Sequence, residues 1–117
     1  MSDIQRHGRG PYAFSQVVVH GGVAYLAGQV ASDPEGSFDE QVRSVLARID
    51  ELLASVGSDK TRLLSVTVWL RDMTDFAAMN AAWEEWIDPG NLPVRATVRA
   101  ELARPEILVE MAAIAAV

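Results

Sequence analysis

The chain has 117 residues, half of them hydrophobic, with 16 acidic against 10 basic side chains and a net charge of −6. That is enough apolar material for one compact domain over 1–117, and an acidic surface disfavours phosphate backbones, so no nucleic-acid partner is expected. The chain has no cysteine, which excludes disulfides, thiolate metal sites and a cysteine nucleophile.

Met1 to Gly10 is polar and glycine-rich and reads as a loosely held lead-in; it lacks the apolar core of a signal peptide. From Gln16 the chain becomes strand-like. Val17-Val18-Val19-His20 and Val23-Ala24-Tyr25-Leu26-Ala27-Gly28-Gln29 flank Gly21-Gly22, a hairpin signal because a tight primed turn needs positive φ. Ser32 to Gly36 reads as a loop. Ser37, with Glu40 three residues on, then opens a helix through a capping box. Phe38, Val42, Val45, Leu46, Ile49, Leu52, Leu53 and Val56 recur at helical spacing along it, and Gly57 ends it.

Leu63 to Leu70 is β-rich and bounded by charges. Thr74 or Asp75 can cap a second helix with Phe76, Met79, Trp83 and Trp86 or Ile87 on its inner face, where aromatics are read as core. Asp88-Pro89-Gly90-Asn91 breaks it. Val94 to Ala100 alternates: Val94, Ala96, Val98 and Ala100 on one side, Arg95, Thr97 and Arg99 on the other. After Arg104-Pro105 a last strand runs from Ile107 to Val117. It is too short to span a bilayer, so no membrane partner is expected and a cytoplasmic location is.

The predicted order is β-β-α-β-α-β-β: an α+β fold with one mixed sheet and two helices on one face. The last strand is apolar at both alternating sets of positions, the pattern of a strand covered on both faces. The chain has nothing left to cover the second face, so a homo-oligomer with sites at subunit boundaries is expected.

The two histidines, His7 and His20, lack the spacing of a metal site, so no metal is expected and a serine triad finds no support. Gly8-Arg9-Gly10 has no strand before it or helix after it and is not a phosphate loop. Two other charged residues stand out. Glu110 is the only ionisable residue between Ile107 and Val117, and desolvating a carboxylate there costs several kcal/mol, on the order of the penalty for a buried ion, unless it is paired or wet. Arg95 sits on the preceding strand, with Ala103-Arg104-Pro105 as a turn between. Two antiparallel strands so connected could bring both side chains to one pocket. Equally open on the residues alone are a plain Arg–Glu pair and a Glu110 that reaches solvent at a strand end.

Leu92-Pro93-Val94-Arg95-Ala96-Thr97-Val98, followed by Leu108-Val109-Glu110-Met111-Ala112-Ala113-Ile114-Ala115, resembles the C-terminal signature of the RidA/YjgF reactive-intermediate deaminases. Ala27-Gly28-Gln29 and Asp75-Phe76-Ala77-Ala78-Met79-Asn80 extend the likeness over nearly the whole chain. The resemblance implies a chorismate-mutase-like fold, a homotrimer, and hydrolysis of enamine/imine intermediates such as 2-aminoacrylate and 2-iminobutanoate to 2-keto acids and ammonia. It implies that Arg95 holds the substrate carboxylate, as a guanidinium fork does bidentately, and that Glu110 positions the attacking water and shuttles protons. Asn80, Ala27, Tyr12 and the backbone around Thr97 are the implied substrate contacts. No cofactor is implied, because an imine is already electrophilic. Ala27 stands where the family often has serine, and Thr97 where it often has cysteine. The pocket tyrosine matches either Tyr12 or, with a short insertion, Phe14. A non-catalytic trimer that binds a small carboxylate metabolite through Arg95 is the alternative; it gains nothing from a second negative charge at Glu110. An RNA-directed activity is disfavoured by the acidic charge.

Overall fold

The computed structural model describes residues 3–117, so Met1 and Ser2 of the lead-in lie outside the described residues. Six strands form one mixed sheet: β1 (Gln5–Gly10), β2 (Phe14–His20), β3 (Val23–Leu26), β4 (Leu63–Leu70), β5 (Val94–Arg99) and β6 (Val109–Ala116). Helices α1 (Phe38–Ser55) and α2 (Phe76–Trp86) cover one face. In space the strands run β1-β2-β3-β6-β4-β5, antiparallel except for β4 and β5, which are joined through α2 and run parallel.

The hairpin and first helix follow their local chemistry. Gly21 (φ 58°) and Gly22 (φ 77°) supply both positive φ values that a primed turn requires. The Ser37 hydroxyl accepts from Glu40 N, the Glu40 side chain accepts from Ser37 N, and Gly57 closes the far end at φ 76°. The apolar stripe is buried as its period predicts: Val42, Val45, Leu46, Ile49 and Leu53 pack onto Val17, Ala24, Leu26, Val66, Val68, Met111, Ala113 and Ala115 of the sheet. From α2 come Met79, Ala82 and Trp83.

Four features differ from expectation. The lead-in is not loose: it forms β1, which pairs with β2. Its sequence has no alternation to reveal this, because an edge strand held by its neighbour's backbone needs little propensity of its own. Asp75 caps α2 without a side-chain hydrogen bond; Asp72 instead caps a short 3-10 turn (Met73–Asp75) ahead of it by accepting from Thr74 N. Phe76, expected on the inner face, is exposed. The last strand begins at Val109: Leu108 N donates to Gln41 Oε1 instead of to a strand, and the carbonyls of Ile107, Leu102 and Arg104 accept from the Arg71 guanidinium, which gathers the preceding loop.

Alternation along β6 buries Val109, Met111, Ala113 and Ala115 under the helices and turns Glu110, Ala112, Ile114 and Ala116 to the other face. On that bare face lie Tyr25, Trp69, Val94 and Val98, the latter two 71% and 46% exposed. No helix among the described residues is long and apolar enough to cross a membrane.

Candidate active site

Arg95 lies on β5, the edge strand, level with Val66 of the core, so its side chain points to the helix-covered face. There its Nη2 donates to Asn80 Oδ1 (2.7 Å) and its Nη1 approaches Met79 Sδ (3.9 Å), while its Cζ stands 5.2 Å from the centre of the Trp83 ring. Met79, Asn80 and Trp83 reach it together because positions three and four apart share one face of a helix. None of these partners is a carboxylate. The guanidinium is in no ion pair among the described residues and faces an open hollow of about 510 Å³ lined by Asn80, Trp83, Glu84, Ile87, Pro89, Leu92 and Arg95, with Glu84 the one acidic residue in that lining. Thr97, two residues on and level with Val68, shares this face; its buried Oγ1 has no hydrogen-bond partner among the described residues. An orphaned hydroxyl of that kind costs about 1–3 kcal/mol unless something else satisfies it.

Glu110 lies on the opposite face, level with Trp69. Its carboxylate rests against the backbone of Gly28, in the space a Cβ there would fill. The group is half-buried, no ion pair holds it among the described residues, and desolvation pushes its pKa above the ordinary glutamate value. Within the chain Glu110 is neither paired with Arg95 nor fully solvated. Ala27 adjoins this spot; its N–H donates to Gln16 O (2.9 Å) and its carbonyl accepts from Gln29 Nε2 (3.0 Å).

The expectation that neighbouring strands bring Arg95 and Glu110 into one pocket is not met within the chain. β4 lies between β5 and β6, and the two side chains leave the sheet on opposite faces. The structure gathers Arg95 and Asn80 in one place, with Thr97 two residues further along the same face of β5, and Glu110, Ala27 and Gly28 in another. Tyr12 is in neither: it sits at the tip of the β1–β2 turn at φ 61°, 96% exposed, with Ala13 also at positive φ. Phe14 lies back over Gly10.

Sequence reasoning missed two parts. Trp83 is core, as expected, yet it also forms the floor under Arg95, which its i+3 spacing from Asn80 could have suggested. Gly28 stands out in the sequence only within Ala27-Gly28-Gln29; its closeness to Glu110 depends on a pairing that no local signal reveals.

A mixed six-stranded sheet backed by two helices, with a free arginine at one edge and a desolvated carboxylate on the bare face, places the chain among small α+β proteins of the chorismate-mutase-like, RidA type. The chain belongs to the RutC/YjgF family: the family model described as Endoribonuclease L-PSP matches residues 9–117. Its relatives include a RutC family protein of Haemophilus ducreyi, 44% identical over 104 residues and 89% of each chain. Another, from Escherichia coli K12, is 42% identical over 89% of this chain and 90% of that one. Among solved structures, a YjgF-family protein from Neisseria meningitidis superposes with a TM-score of 0.92 at 43% identity, covering 97% of this chain and 94% of that one.

Proposed function

We propose that the protein hydrolyses reactive enamine/imine intermediates of the 2-aminoacrylate and 2-iminobutanoate type to 2-keto acids and ammonia, in sites shared between the subunits of a homotrimer. The observation that carries this reading is the pairing of opposites: a guanidinium and a half-buried carboxylate, neither held in an ion pair among the described residues. Each lacks what the other kind of group would supply, and an iminium carboxylate in water needs both.

Arg95 binds the substrate carboxylate, with Asn80 and the Trp83 ring holding the guanidinium in place. The backbone around Thr97, on the outer edge of β5, is available to the same ligand. Glu110 takes a proton from a water as its oxygen adds to the imine carbon, giving a carbinolamine. It then returns that proton to nitrogen and takes up the hydroxyl proton as the C–N bond breaks, so the keto carbonyl forms and ammonia leaves, picking up the proton from Glu110 as ammonium. Enamines enter after tautomerising to the imine. A carboxylate whose pKa is raised by desolvation is a better base near neutrality than an ordinary one, which suits it to both transfers.

Because Arg95 and Glu110 lie on opposite faces of one sheet, the site requires two copies of the chain. The bare apolar face of β3, β6, β4 and β5 supplies the contact, and Tyr12 on its projecting turn is placed to reach a neighbour. A cytoplasmic setting, where pyridoxal-phosphate dehydratases release such intermediates, fits this role. The RNA cleavage named by the family model finds no support in a chain of net charge −6 whose arginines are scattered singly.

The test is to generate 2-aminoacrylate or 2-iminobutanoate with a dehydratase, trap the remaining imine with semicarbazide, and follow keto-acid release. Wild type accelerates release, and Arg95→Ala and Glu110→Ala do not. No acceleration by wild type rejects the reaction for those substrates. Carboxylate binding that survives in Glu110→Ala, with no turnover by wild type, instead identifies a metabolite-binding trimer.

A further inference from the structure

The segment that leads from β3 through Gly28 to Gln29 has one residue more than the part of β6 opposite it. Tyr25 pairs with Ile114, and a regular ladder would set Gly28 opposite Met111, yet the bridge is between Gln29 and Met111. Leu26–Gly28 thus accommodate a β-bulge, a device that re-aims backbone beside a site. Gln29 secures its far end, exchanging both backbone hydrogen bonds with Met111 (2.7 and 3.1 Å), the residue after Glu110.

The side chain of Gln29 secures the middle. It is 2% exposed, and every part of its amide is used. Nε2 donates to the carbonyl of Ala27 within the bulge (3.0 Å) and to Gln16 Oε1 (2.9 Å), while Oε1 accepts from Arg48 Nε (3.0 Å). Arg48 comes from α1, and its Nη1 also donates to Ser32 Oγ (3.3 Å). An amide can be turned end for end at little cost in shape, and turning this one would set Oε1 against the Ala27 carbonyl. A guanidinium only donates, so Arg48 accepts just one orientation: oxygen toward α1, nitrogen toward the bulge.

We propose that Arg48 is a positioning residue for Glu110: by fixing the Gln29 amide it locks the bulge, and the locked bulge holds the Gly28 backbone against the Glu110 carboxylate. The kinetic part rests on the deaminase reading; the geometric part does not. Arg48 touches neither half of the candidate site and acts only through Gln29.

Arg48→Met and Arg48→Lys, prepared as the assembled protein, provide the test with two readouts. The first is the titration of the Glu110 carboxyl, followed by its ¹³Cδ resonance and assigned by the loss of that signal in Glu110→Gln. The second is steady-state kinetics on the imine. Arg48→Met lets water reach the loosened bulge, so the Glu110 midpoint moves down toward the ordinary glutamate value. Its kcat falls about tenfold or more, the usual consequence of displacing a reacting group, while KM stays within about twofold because Arg95 is untouched. Arg48→Lys still donates to Gln29 and recovers most of both. An unchanged midpoint overturns the proposal, and so does a rise, which would mark Arg48 as a mere counter-charge, or a lysine variant no better than the methionine one. If Arg48→Met does not fold, Gln16→Met, which removes the other tie on the amide, is judged by the same outcomes. If wild type hydrolyses no imine, the titration still decides the positioning role while the proposed reaction fails separately.

Discussion

The carboxylate of Glu110 fills the space that a side chain on Gly28 would need. The requirement for glycine there is one of packing: Gly28 is not among the residues with left-handed φ, so its backbone would tolerate another residue if the carboxylate were elsewhere. Gly28→Ala is therefore expected to fold and to displace Glu110, with kcat reduced up to about a hundredfold, as for a reacting group moved by about an ångström. In a Glu110→Ala background the same change should leave the melting temperature unaltered. A melting loss of equal size in both backgrounds would show that the contact does not matter.

The unpartnered burial of Glu110 sets the sign of two pH effects. Its folded pKa is raised, so ionisation opposes folding: the cost is absent below the ordinary glutamate pKa and grows as pH rises through the folded value. Glu110→Gln should thus melt no lower than wild type at pH 7, and any gain should vanish toward pH 4, where both side chains are neutral. Under the proposed reaction activity runs the other way, because its base must be ionised, so the acid limb of the rate profile should lie above the ordinary glutamate value. Thermal melts and rates across pH 4–8 check both; a limb at the ordinary glutamate value would remove Glu110 as the base.

Asn80 accepts from Arg95 at 2.7 Å, and its neutrality is the point. Asn80→Ala frees the guanidinium to swing, and loss of a hydrogen bond to a charged group, worth about 1.5–3 kcal/mol, should appear mainly as a KM raised roughly tenfold or more. Asn80→Asp should be worse than Asn80→Ala, since a carboxylate at that distance competes with the substrate for Arg95. The reverse order in KM would mean that Arg95 does not bind the substrate's carboxylate.

What could be read in advance divides along the range of the interactions. The Gly21-Gly22 turn, the Ser37–Glu40 capping box and the stripe from Val42 to Leu53 are local devices, and each formed where its spacing indicated. Arg95 and Glu110 could be singled out because each breaks a pattern on its own strand. Their relation could not, because chain order is not sheet order: β4 lies between β5 and β6, and that insertion, together with strand register, sends the two side chains to opposite faces. The bulge at Leu26–Gly28 escaped for the same reason. It exists through Gln29, Arg48 and Met111, which come from three separate elements.

Opposite faces lead to the most direct test of a shared site. If the site is shared as proposed, Arg95→Ala and Glu110→Ala each remove one half, so each variant alone should be inactive. Subunits of the two variants, mixed, dissociated and reassembled, create some boundaries at which an intact Arg95 from one chain meets an intact Glu110 from another. A fraction of wild-type activity should return on mixing, and it should depend on reassembly. Ile114→Asp, which places a charge on the bare face beside Tyr25, should abolish that recovery by blocking assembly, although it touches neither Arg95 nor its helix. Mixed oligomers that form but stay inactive would mean that both groups serve a site from the same subunit, which the strand order of this sheet does not allow without a large rearrangement of β5.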